Sequence, residues 1–157
     1  MKTIPPTMLR DPRHLLSLGF GSGLAPKAPG TFGTLAALPC WYLLQLLPTT
    51  SYIVAVVAAF ALGVYLCGET AKALGVHDHG GIVWDEFVGL WIALFLLPSD
   101  WYWPLLGFAL FRLFDIWKPW PISVLDRRVH GGLGIMIDDV VAGFYAFFVL
   151  QAIYLLR

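Results

Sequence analysis

Charge is scarce in this chain. Of 157 residues only ten are Lys or Arg and ten Asp or Glu, 13% together, while 59% are hydrophobic and mean hydropathy is +0.75. So few charges cannot clothe a water-facing surface, which excludes an ordinary soluble domain and predicts an integral membrane protein. The charges also sum to zero, and no basic stripe is present. Nucleic acid is therefore not an expected partner, and membrane lipids are. Cysteine is equally rare: Cys40 and Cys67 sit in apolar runs without a nearby His or second Cys. That excludes a disulfide framework and a zinc site. The first fifteen residues lack an apolar core, so no cleaved leader is expected. The length suits one domain, 1–157, with a polar arm over residues 1–14.

What is present is apolar and segmented. Runs at 33–47, 52–68, 84–97, 101–117 and 139–156 are separated by short breaks bearing Pro, Thr or Gly. They predict an all-α integral membrane bundle of about five helices, although the shortest run reaches only ~21 Å against a hydrocarbon thickness of ~30 Å. Tryptophans and tyrosines around 101–120 suit an interfacial belt. Lys2, Arg10, Arg13, Lys27, Lys72, Arg112, Lys118, Arg127 and Arg128 fall on one side of this arrangement, with Arg157 on the other. The asymmetry predicts a cytoplasmic N-terminus and gathers the stretches 15–33, 69–86 and 112–139 on the cytoplasmic face.

Those stretches hold the chemistry. In LLSLGFGSGLAPKAPGTFGTL, five glycines and two prolines forbid an ordinary helix and suit a backbone cradle for an anion, with Lys27 and Thr31 as phosphate-binding candidates and Thr31 as N-cap of the next helix. Glycines serving tight turns alone are the other reading. Asp85 and Glu86 open one apolar run and Asp138 and Asp139 another. Two acidic pairs meeting across a bundle would share one or two Mg²⁺ ions, whereas helix capping explains a doubled acid less well. Arg112, Asp115 and Lys118 recur at three-residue steps. Arg112 and Lys118 are candidates to hold phosphate, against an Arg112–Asp115 ion pair that merely locks the helix end. Asp115, Asp78 between His77 and His79, and His130 before two glycines are the catalytic candidates, His130 for protonating a leaving group. Arg127 and Arg128 suit anionic headgroups. Neither cysteine has an arginine six positions later, so a cysteine-phosphatase loop is missing. A metal-assisted reaction on a phosphorylated lipid is the reading that remains, with covalent attack by Asp left open. A transporter would need polar residues at mid-span, where the first three runs offer only Gln45. A lipid-phosphate transferase would share the same headgroup chemistry.

The motifs GFGSGLAPKAPGTFGTLAALP, GVYLCGETAKALGVHDHGGIVWDEFVG, FRLFDIWKPWPI and DRRVHGGLGIMIDDVVAG together resemble the bacterial phosphatidylglycerophosphatase A family, over roughly residues 14 to 145. The resemblance implies an all-helical, Mg²⁺-dependent phosphatase of the inner membrane that converts phosphatidylglycerophosphate to phosphatidylglycerol. It further implies that the pairs Asp85–Glu86 and Asp138–Asp139 belong to the shared pattern.

Overall fold

The computed structural model describes residues 4–157, so Lys2 lies outside the described residues. Among them the structure is all-helical, without strands. Seven α-helices run α1 Pro12–Ser17, α2 Pro29–Leu44, α3 Thr49–Leu74, α4 Trp84–Ala93, α5 Tyr102–Trp117, α6 Ile122–Arg128 and α7 Gly131–Leu155, with short 3-10 turns at Pro6–Arg10 and Gly19–Leu24.

Local chemistry accounts for several boundaries. The Asp11 side chain accepts from the Arg13 amide at 2.9 Å and Pro12 takes the first helical position, so α1 starts there. Its helix then docks on α3, where His14 Nδ1 meets Thr70 Oγ1 at 2.8 Å and Arg13 approaches Glu69 at 3.9 Å. The expected polar arm is thus partly folded and packed against α3. Between α1 and α2 the backbone is left-handed at Gly19, Phe20 and Gly21, which stops any continuous helix, as the glycine content predicts. Gly75, also left-handed, closes α3 with its amide on Lys72 O and the Val76 amide on Ala71 O.

Among the described residues two helices, α3 and α7, are long and apolar enough to cross a membrane. α4 is not: its ten residues rise only ~15 Å. The run 84–97 is therefore not one continuous helix, because the chain leaves the helix after Ala93 and Leu96 is left-handed. α4 is instead the central post. All but Asp85 and Ile92 of its ten residues are buried, among α2, α3, α5 and α7. Its two indoles are tied off, with Trp84 Nε1 donating to Ala59 O at 3.0 Å and Trp91 Nε1 to Ala37 O at 3.1 Å, and Tyr52 Oη donates to Trp91 O at 2.6 Å. Burying an amphipathic indole costs little once its N–H has a partner.

The second departure from expectation is at α7. It begins at Gly131, eight residues before the predicted start, so Asp138 and Asp139 lie two turns inside the helix and do not open it. In the added stretch, Gly132 lies against Val64 and Gly68 of α3 and Met136 against Gly63. Helix-dipole capping therefore does not explain this acidic pair, whose carboxylates are both buried.

Candidate functional site

α4 and α7 approach backbone to backbone. A Cβ on Gly89 would lie 2.8 Å from the Asp139 carbonyl oxygen, and one on Gly143 would collide with the Gly89 carbonyl. Gly89 follows Glu86 by one turn and Gly143 follows Asp139 by one turn. The glycine crossing thereby draws those two acids together. Asp115, in the last turn of α5, completes the group: one carboxylate oxygen from each of Glu86, Asp115 and Asp139 lies within 4.8 Å of the others.

Arg112 sits among them. One of its terminal nitrogens, Nη1, donates to Glu86 Oε1 at 3.1 Å and to Asp115 Oδ2, with both partners at most 16% exposed. The predicted Arg112–Asp115 pair exists, but as part of the carboxylate group. The other Glu86 oxygen, Oε2, lies 3.0 Å from the hydroxyl of Thr34, which is fully buried. Burial pushes the Glu86 carboxyl up to about 7, against the pull of the Arg112 guanidinium. Asp139 is 3% exposed and, among the described residues, its Oδ2 has no hydrogen-bond partner. Three convergent carboxylates, one with an orphaned buried oxygen, are the donor set a hard divalent cation takes, so these residues fit Mg²⁺.

The remaining candidates surround this group. Asp85 lies in the first turn of α4 with a buried Oδ1 that lacks a partner among the described residues, and burial followed by the adjacent Glu86 charge drives its carboxyl well above the ordinary range. Asp138 accepts from Lys118 Nζ at 2.8 Å, and Lys118 also holds Asp126 at 2.7 Å. Burial opposes the Lys118 charge, but those two carboxylates keep the ammonium above its usual pKa. The four predicted metal ligands thus divide, with Glu86 and Asp139 in the cluster and Asp85 and Asp138 beside it, while Asp115 joins from the catalytic candidates. Asp78 and His130 are exposed. His130 contacts Arg128 O at 3.1 Å and the His77 ring edge-on at 4.7 Å.

In the glycine-rich stretch, Lys27 is exposed and makes no ion pair among the described residues. Thr31 is not the N-cap: Ala28, in a left-handed conformation, precedes Pro29 at the helix start, and the Thr31 amide bonds Ala28 O at 2.9 Å inside the first turn. Proline at the first helical position moves the start ahead of Thr31. Thr34 was not singled out by the sequence. The signal available was its spacing of four from Gly30, which puts both on one helical face.

The family model for phosphatidylglycerophosphatase A matches residues 15–154. Among curated relatives, phosphatidylglycerophosphatase A of Escherichia coli K12 is 60% identical over 136 residues, covering 86% of this chain and 79% of that protein. Its namesake in Haemophilus influenzae is 52% identical over 147 residues, covering 92% and 90%. A Bacteroides thetaiotaomicron protein, provisionally named a phosphatidylinositol-3-phosphatase, is 41% identical over 144 residues, covering 87% and 89%. No solved structure matches the chain.

Proposed function

The chain belongs to the phosphatidylglycerophosphatase A family, and on that premise we propose that it hydrolyses the terminal phosphomonoester of phosphatidylglycerophosphate, releasing phosphatidylglycerol and inorganic phosphate, with Mg²⁺ as cofactor. The observation that carries this reading is the convergence of Glu86, Asp115 and Asp139 on a common point beside Arg112. A bound divalent cation there would neutralise phosphate oxygens and acidify a water. Glu86, Asp115 and Asp139 are the residues that would hold it, with Asp85 and Asp138 adjacent. Arg112 and Lys118 place fixed positive charge beside the carboxylates, where a phosphate would otherwise be repelled. Lys27 and Thr31, near the start of α2, are the outer phosphate-binding candidates. Asp78 and His130, on exposed loops, are the candidates for returning a proton to the leaving glycerol oxygen.

The membrane supports the same reading. α3 and α7 present exposed apolar residues such as Val54, Val57, Phe144 and Phe148, a face suited to acyl chains, so the enzyme would meet a lipid substrate laterally. We place it in the bacterial inner membrane as a multi-pass protein with the carboxylate end cytoplasmic, serving phospholipid synthesis. The experiment is phosphate release by the purified protein in mixed micelles, with and without Mg²⁺, on phosphatidylglycerophosphate and on phosphatidylinositol 3-phosphate. Mg²⁺-dependent release from the first supports the assignment. No release from it, or faster release from the second, overturns it.

A further inference from the structure

The first turns of α2 enclose the Glu86 carboxylate. A Cβ on Gly30 would collide with Glu86 Oε1 and lie 3.1 Å from both terminal nitrogens of Arg112, while a Cβ on Gly33 would lie 2.8 Å from Glu86 Oε2. The third wall is Thr34, whose Oγ1 is 3.0 Å from Glu86 Oε2 and 2.9 Å from Gly30 O. Gly30, Gly33 and Thr34 recur at spacings of three and four, so they line one face of α2, and all three are buried. With Arg112 donating to Oε1 and the Thr34 hydroxyl at Oε2, its one proton shared with Gly30 O, both Glu86 oxygens have a polar neighbour, from two different helices.

We propose that the buried face of the start of α2, formed by Gly30, Gly33 and Thr34, is the seat of Glu86, with Thr34 the positioning residue that orients this carboxylate toward Asp115 and Asp139, while Lys27 and Thr31 lie off that face. The glycines supply room and the hydroxyl supplies direction. A carboxylate anchored by a neighbouring donor keeps one orientation without spending cation-binding energy on rotamer restriction, the general role of groups that hold metal ligands. The inference rests on the Mg²⁺ reading of the three carboxylates, and it assigns a task to the segment that sequence left between anion cradle and plain turn.

The test is a comparison of Thr34→Val and Thr34→Ser in the full-length protein in detergent. Mn²⁺ uptake is followed by electron paramagnetic resonance, inorganic phosphate by inhibition, and kcat and KM on the lipid substrate. Thr34→Val is expected to weaken Mn²⁺ binding about tenfold or more and to lower kcat while KM and inhibition by phosphate stay within about twofold. Thr34→Ser keeps the hydroxyl and is expected to restore both. If Thr34→Val does not fold, Thr34→Ala, which leaves space for a water, carries the same expectation. Unchanged Mn²⁺ affinity in the hydroxyl-free variant overturns the assignment, and a raised KM with weaker phosphate inhibition would give the segment to the substrate instead. If the unaltered protein takes up no Mn²⁺, the metal reading falls, and this assignment with it.

Discussion

Gly89→Ala is the sharpest perturbation available, because it alters none of the acidic side chains yet acts on their spacing. The added Cβ would lie 2.8 Å from the backbone oxygen of Asp139 and between 2.5 and 2.7 Å from the Phe111 ring, where ordinary contact begins at 3.4 Å. The Asp139 backbone must therefore retreat by about 0.6 Å, or α4 must move away from it by as much. Alanine gains about 0.5–1 kcal/mol over glycine in helix propensity, but overpacking a tight crossing costs about 1–3 kcal/mol, so a net loss of stability of about 1–2 kcal/mol is expected. The larger consequence is for turnover. Misplacing a reacting group by about 1 Å can cost on the order of a hundredfold, so a shift near 0.6 Å should reduce phosphate release at least tenfold. Gly68→Ala is the control, since its Cβ would rest at an ordinary 3.4 Å from the Gly132 amide nitrogen at the α3–α7 crossing. Initial rates in mixed micelles and melting temperatures of both variants are the measurements. Gly89→Ala turning over within twofold of the unaltered protein, or Gly68→Ala losing as much as Gly89→Ala, would refute the argument that the α4–α7 distance sets the site.

Glu86→Gln, Asp115→Asn and Asp139→Asn should each lower kcat by about a hundredfold or more, equivalent to at least ~2.7 kcal/mol of transition-state stabilisation, while circular dichroism stays unchanged; near-normal rates in two of them would remove the cluster from the chemistry. Arg112→Ala leaves Glu86 and Asp115 without their shared partner, so it should both raise KM and lower the melting temperature, and a change in neither would reassign the residue. Because burial raises Glu86 from 4.5 to about 7, the metal-free folded protein holds a proton there that the unfolded chain has lost. The contribution is complete below pH 4.5 and lost as pH rises through about 7, so added Mg²⁺ should raise the melting temperature more at pH 8 than at pH 5. An equal rise at the two pH values would contradict it.

Much of this was legible in the amino-acid order. Sparse charge and long apolar runs predicted helices, since lipid leaves backbone polar groups no partner outside a helix or barrel, and the described residues are all-helical, with two helices long and apolar enough to cross a membrane. The clustering of Lys, Arg, Asp and Glu in a few breaks marked the end of the molecule where the polar chemistry gathers, and α2, α4, α5 and α7 do bring Gly30, Glu86, Arg112 and Asp139 to that end. Helix boundaries were less readable. Asp138–Asp139 looked like a helix start because acids favour that position, yet seven residues of α7 precede them. Thr31 looked like a cap, but Pro29 had already begun the helix.

Residue types and their spacing settle what kinds of group are present and how they repeat along one helix, because that information is local. Which carboxylate of each acidic pair turns inward is a different matter. It follows from the angle at which α4 crosses α7 over Gly89 and Gly143, and from the reach of Thr34 and Arg112 across two further helices. Those are distances between segments dozens of residues apart, governed by how closely backbones pack, and no local periodicity encodes them.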